Sequence, residues 1–380
     1  MTHPRDSRRT RASLVAAALV MGLGLTACQT GSITANEVAS VTVDLPPLSE
    51  LTPIADPTSW EGPSTAPIGG PTLLPVADNP EQVLPATVIS HDHIGDTQVV
   101  VEDASRVLAI SMTGTLAELT YAYGLGGTLI GRDVSTNLPG LEDLPVVTGT
   151  GHTLDTEGIV ALQPTLVLTD NSVGSADVML QLRDVGIDVV VIERANSPET
   201  TYETARQVAA ALGVAPLAET LIAELDQAIT EKVAEIAQLA PADQSLHPRV
   251  AFLYIRGQSG VYYLFGDGSS ATSLLDGLGV VDVAQEIGWV GEKPMTDEAL
   301  VAADPDIIVV MTKGLKSADG VDGLIAAQPS IALTTAGKNR RIIDADDTLI
   351  FAGGTRIPDI LDGLARAIYA PDSLPDASAS

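Results

Sequence analysis

Glu157-Gly-Ile-Val-Ala-Leu-Gln-Pro-Thr-Leu-Val-Leu168 decides the fold because the chain writes it twice: Glu298-Ala-Leu-Val-Ala-Ala-Asp-Pro-Asp-Ile-Ile-Val309 follows it position by position. Each copy runs acid, apolar helix, proline, apolar strand. The residue before a proline is pushed out of the helical region, so each helix is expected to stop ahead of Pro164 or Pro305. Asp155, or an equivalent in the second copy, supplies the N-cap. The unbroken apolar run that follows marks a strand of a parallel sheet, buried on both faces. Two copies of one unit predict two related lobes.

The same grammar continues outward from the repeat. Val107-Leu-Ala-Ile110, Thr115 to Tyr123 and Leu129-Ile-Gly131 alternate strand, helix and strand, an α/β pattern. Between the copies, Pro216 to Leu239 carries apolar residues at Leu221, Ile222, Leu225, Ile229, Val233 and Ile236. Spacings of three and four define one long amphipathic helix. A single helix joining two lobes is a stiff spine. The expected architecture is therefore two α/β lobes with parallel-rich sheets, a ligand cleft between them and little hinge closure.

With 380 residues, 45% of them hydrophobic, the chain can fill large cores and is not disordered throughout. Its formal charge of −29 argues against an unaided electrostatic grip on nucleic acid or anionic lipid. No Gly-x-Ser-x-Gly elbow, P-loop, Rossmann glycine fingerprint with its acid, or His-Glu-x-x-His is present, so a non-enzymatic role is expected. At the N-terminus, Arg5, Arg8, Arg9 and Arg11 precede the apolar run Leu14 to Leu25, too short for a comfortable membrane span and read as an export signal. Ten prolines between Val41 and Ser90 read as a tether. The expected boundaries are a signal over 1–27, a tether over 28–100, lobes over 101–214 and 241–370, the connecting helix over 215–240 and a loose tail over 371–380.

Leu25-Thr-Ala-Cys28 resembles the lipobox of bacterial lipoproteins, with the sole cysteine of the chain at the lipidated position. That resemblance implies a mature chain beginning at Cys28, lipid-anchored on the extracytoplasmic face of the cell membrane. A redox thiol or half of an intermolecular disulfide is the other reading of a lone cysteine. Lipobox, tether, two lobes, repeated motif and connecting helix together resemble the solute-binding proteins of iron-chelate, cobalamin and haem ABC importers, over roughly residues 100–370. Within that group, Tyr254-x-Arg256 in the strand Phe252-Leu-Tyr-Ile-Arg-Gly257, with Gly131-Arg-Asp133 and Gly149-Thr-Gly-His152, is similar to the haem-binding lipoproteins of actinobacterial importers. The likeness implies haem as the transported ligand, His152 and Tyr254 as axial iron ligands from opposite lobes, and a monomer that delivers to a permease dimer with its ATPase. It also implies that Glu157 and Glu298 dock onto permease arginines. As first-turn residues both acids gain from the helix dipole as well, so a local role is the alternative.

The chemistry of these residues agrees. Residues two apart on a strand share a face, so Tyr254 and Arg256 point to one side. Haem iron accepts an imidazole nitrogen or a tyrosine oxygen, and ferric iron favours the anionic oxygen. A phenol ionises near pH 10 unless a neighbouring cation favours the charged form, and arginine is always such a cation. Arg256 fits that task, with a grip on a propionate as a second role. A hydrogen-bonded pair at a strand end is the other reading of Tyr254 and Arg256, and an exposed loop histidine that of His152. Arg132 is a candidate propionate contact or salt-bridge residue. Trp289, Met295, Tyr262 and Tyr263 are candidates to pack on a flat apolar ligand, or core. Tyr121 and Tyr123 are expected on the first helix, His91 and His93 in solvent for want of further clustered ligands, and His247 is expected to be incidental. A ferric siderophore or cobalamin as cargo is the nearest rival; an envelope hydrolase or transferase and a surface adhesin are rivals of other classes.

Overall fold

Parallel strands covered by helices build both lobes. The computed structural model describes residues 45–69, 74–149, 153–195, 197–257, 262–348, 350 and 354–374. A two-residue strand, β1 (Ser64–Thr65), comes first and pairs in the second lobe. The antiparallel hairpin β2 (Ala86–Asp92) and β3 (Gly95–Val101) opens the first lobe. A parallel sheet follows, β4 (Val107–Ile110), β5 (Leu166–Thr169) and β6 (Asp188–Val191), in that spatial order. Its helices are α1 (Thr115–Ala122), α2 (Thr156–Ala161), α3 (Ala176–Asp184) and α4 (Pro198–Ala211). Strand alternation sorts them: Val107 and Ala109 share a core with Leu116, Leu119 and Val208, while Leu108 and Ile110 share one with Ile159, Met179 and Leu182.

The spine is α5 (Ala218–Leu239), 22 residues and so about 33 Å long at 1.5 Å per residue. Leu221 and Ile222 near its start lie in the first lobe's core, Ile236 and Leu239 near its end in the second's. Beyond it come β7 (Arg249–Ile255), β8 (Tyr262–Phe265), α6 (Ser270–Gly277), β9 (Val281–Asp282), α7 (Val283–Glu286) and β10 (Glu292–Pro294). Then follow α8 (Asp297–Ala303), β11 (Ile307–Met311), α9 (Thr312–Ser317), α10 (Gly320–Ala327), α11 (Pro329–Leu333), α12 (Thr335–Lys338), β12 (Ile342–Ala345) and α13 (Ile357–Tyr369). The sheet order is β1-β12-β11-β7-β8-β10, with β9 also on β7. Strand β11 is parallel to both neighbours, whereas β8 runs antiparallel to β7 on one side and β10 on the other.

The two copies of the repeat are α2–β5 and α8–β11. Asp155 caps the first through Gly158 N at 3.0 Å and Thr296 the second through Ala299 N at 3.3 Å. Gln163 (φ 51) and Asp304 (φ 40) both turn left-handed just before the proline. A guanidinium closes each helix end: Arg106 donates to Leu162 O at 2.6 Å and Gln163 O at 2.9 Å, and Arg249 to Asp304 O at 2.7 Å.

Residues 45–69 and 74–100 differ from the loose tether expected there. Leu48 and Ala66 are buried in the second lobe's core, Ala66 N donates to Asp344 O at 2.7 Å, and Val83 N donates to Gly213 O at 2.8 Å. The fully buried Arg341 guanidinium anchors this stretch, donating to Ser64 Oγ at 2.8 Å, to Gly62 O, and to Ala367 O and Ile368 O of α13. The β2–β3 hairpin is tied to β6 by Ser90 Oγ, which accepts from Val191 N at 2.9 Å, and by Arg183, which bonds Asp92 at 2.8 Å and Val189 O at 2.9 Å. These partners lie about a hundred residues or more along the chain, beyond the reach of local composition. Residues 375–380 and Cys28 lie outside the described residues.

The lobes also meet directly. Arg356, buried at the start of α13, reaches Gly69 O at 2.6 Å, with Glu118 of α1 4.0 Å from one nitrogen and Asp359 3.8 Å from another. Gly354 N donates to Thr201 Oγ1 of α4 at 3.2 Å. Burial pushes the Glu118 carboxyl up to about 8 from its ordinary 4.5; the Arg356 charge opposes this and Asp359 and Asp133 add to it. The folded state therefore holds a proton that the unfolded state releases, and stability falls as pH rises from about 5 to about 8. Glu118→Gln is expected to flatten that slope in thermal melts across this range; a slope equal to wild type would show that Glu118 does not titrate there.

Candidate functional site

At the far end of β7 the strand's side chains grade from core to solvent. Phe252 opposes Phe265 edge-to-face at 5.3 Å within the core, and two residues on Tyr254 opposes Tyr263 edge-to-face at 6.2 Å. Tyr254 is half-buried and Tyr263 is 37% exposed. Arg256, two residues further on the same face and exposed, donates from Nη1 to Tyr254 Oη at 3.3 Å. The strand then turns at Gly257 (φ 59), whose N–H donates to Ser317 Oγ at 2.7 Å. Beside it, burial raises the Asp347 carboxyl, opposed by its 2.6 Å bond from Lys313 N and by the Lys313 and Arg256 charges. This rim thus sets a phenol, a guanidinium and a second aromatic ring at the carboxyl end of a strand, where open α/β sheets take their ligands.

The first lobe's rim is built around Asp133, a buried carboxylate accepting from the backbone of Ser111, Ser135 and Thr136 and from Thr136 Oγ1, all at 2.7–2.9 Å. Burial lifts this carboxyl to about 6, with those bonds pulling it down. The cage presents two apolar side chains outward: Met112 (43% exposed) and Val134 (52%). Sequence reasoning did not single them out; the available signal was a large apolar residue just past a strand end among Ser, Thr and Gly. Thr148 bridges Leu154, and Gly149 N donates to Thr153 O at 2.7 Å. His152 lies outside the described residues.

The remaining candidates separate. Trp289 and Met295 pack in the cluster with Leu253, Ile255 and Tyr262, on the opposite face of β7–β8 from Tyr254. A strand's side chains alternate, so the structure does not bring these two together with the Tyr254 rim. Arg132 spends its terminal nitrogens on Thr136 O (3.3 Å) and Glu142 O (3.2 Å) of its own loop. Tyr123 donates to Ala205 O at 2.8 Å, and Tyr121 packs partly buried against the same core. His91 pairs with Asp96 at 3.0 Å and His247 with Pro241 O at 3.0 Å. Among the described residues no cluster of three His, Cys, Asp or Glu could hold a metal ion. Glu157 and Glu298 stand exposed on the first turns of α2 and α8, without an ion pair among the described residues.

Known proteins share this fold. The crystal structure of the haem-binding protein HmuT matches with a TM-score of 0.73 at 36% sequence identity, over 83% of this chain and 99% of that one. HmuT has also been solved with a histidine, a tyrosine or an arginine replaced by alanine; its tyrosine and arginine are two positions apart, and its histidine precedes the tyrosine by 99. The uncharacterized ABC transporter substrate-binding lipoprotein YvrC of Bacillus subtilis (strain 168) is 27% identical over 303 residues, 77% of this chain and 88% of that protein. A cobalamin-binding protein of Halobacterium salinarum is 24% identical over 277 residues, 70% of each. The sequence pattern of the periplasmic binding protein family matches residues 109–349, more than half of the chain, and the protein belongs to that family.

Proposed function

We propose that this protein is the lipid-anchored, extracytoplasmic binding subunit of an ABC importer, and that it captures haem between its lobes for the permease. The observation that carries this reading is the bonded pair of Tyr254 and Arg256 at the rim end of β7, in a chain 36% identical to HmuT. The tyrosine and arginine replaced in HmuT have the same spacing, and the histidine replaced there stands 99 positions before the tyrosine, against 102 from His152 to Tyr254 here.

In this reading Tyr254 Oη coordinates ferric iron as phenolate and His152 supplies the opposite axial nitrogen. The Arg256 bond to that oxygen strengthens as the oxygen takes negative charge. Met112 and Val134 offer apolar contact to a flat ring system, and Tyr263 offers an aromatic face. Cys28 carries the lipid. Glu157 and Glu298 form ion pairs with permease arginines. A second reading, cobalamin as cargo, is favoured by the Halobacterium protein.

Haemin titrated into the purified protein is expected to give a saturable Soret band, and cyanocobalamin no binding. Tyr254→Phe and His152→Ala should each weaken haemin binding at least about tenfold; an unchanged spectrum in Tyr254→Phe would reject phenolate ligation. Arg256→Ala should cost about tenfold, the scale of a charge-assisted hydrogen bond, with partial recovery in Arg256→Lys. Replacing Glu157 and Glu298 together by Gln should leave haemin binding intact and abolish uptake in cells; normal uptake by that double variant would reject their docking role.

A further inference from the structure

Helices α8 and α11 flank an open groove of about 510 Å³ lined by Asp297, Glu298, Val301, Pro329, Ser330 and Leu333. Its floor is apolar, and Leu333 is 59% exposed. Asp297 Oδ1 accepts from Tyr262 Oη at 3.0 Å and Ser330 Oγ at 2.8 Å, so one carboxylate ties the first turns of α8 and α11 together and fixes the groove's width. Asp297 and Glu298 stand on its rim with no ion pair among the described residues.

We propose that this groove is a slot on the docking face that receives an apolar side chain of the permease carried beside an arginine or lysine. The inference rests on the docking role given above to Glu298 and adds an apolar anchor to it. A purely apolar occupant would strip water from two carboxylates that have no ion pair among the described residues, which is costly. A purely cationic one would leave the exposed Leu333 wet. A segment bearing both satisfies rim and floor, and such anchors dominate interface energetics. A second copy of this chain is disfavoured because each copy carries a formal charge of −29. The repeat gives further support: Val160, 41% exposed, follows Glu157 by three residues as Val301 follows Glu298. Residues three apart on a helix are surface neighbours, so each lobe offers an acid beside a valine, suited to a partner with two related subunits.

The test measures binding of the haemin-loaded protein to the haem permease with its ATPase in nanodiscs, at low and high salt. Leu333→Asp should weaken binding about tenfold at both ionic strengths, with haemin titration and melting temperature unchanged; Leu333→Ala should show a smaller loss in the same direction. The loss in Glu298→Gln should shrink with salt. Wild-type binding by Leu333→Asp alongside impaired Glu298→Gln would overturn the groove and leave the docking reading standing. No engagement by the wild type would overturn both. A wild-type dimer in analytical ultracentrifugation that Leu333→Asp dissociates would assign the groove to a second copy and overturn the inference.

Discussion

The buried guanidinium of Arg356 sits where three parts of the chain meet: α1 through Glu118, the N-terminal segment through Gly69, and α13 from which it springs. Removing a charge from water is expensive unless partners surround it, so this contact tolerates little displacement. With α5, which spans both cores, it joins the lobes at two places. The haem site proposed above draws on a rim from each lobe, so its spacing depends on those two joints. In that proposal the spacing is set at folding, which lowers the ordering cost of capture.

Much of the fold was legible because its signals are local. The acid–helix–proline–strand unit announces itself twice within a dozen residues, and the periodicity of α5 needs no distant partner to be read. The stretch before residue 101 was not legible for the opposite reason. Its prolines and short polar runs match a tether in composition, yet Ser64, Ala66 and Ser90 are buried by groups such as Arg341 and Arg183, far off in the chain. Two arginines with no functional signature thus help to anchor a segment that contains neither.

The site was half legible on similar grounds. Period-two alternation correctly placed Tyr254 and Arg256 on one face, and their hydrogen bond follows from it. Trp289 and Met295 pack on the opposite face with Leu253 and Ile255; both lie outside the strands, where residue type suggested a pocket and alternation offers no guide. Met112 and Val134 escaped notice because an isolated apolar residue in a loop carries no periodic signal. The repeat also runs deeper than the matched twelve residues. Arg106 and Arg249 close equivalent helix ends, a correspondence visible only when the carbonyls they serve are known.

The second lobe's sheet ends in two unlike ways. On one side lies β1, only two residues long; on the other lies β10, Glu292-Lys-Pro294, exposed along its length. A proline withholds a donor and charged side chains resist a close neighbour, so neither margin invites a foreign strand. The aliphatic interior between them is therefore bounded by two margins that offer little purchase for edge-to-edge pairing with another chain.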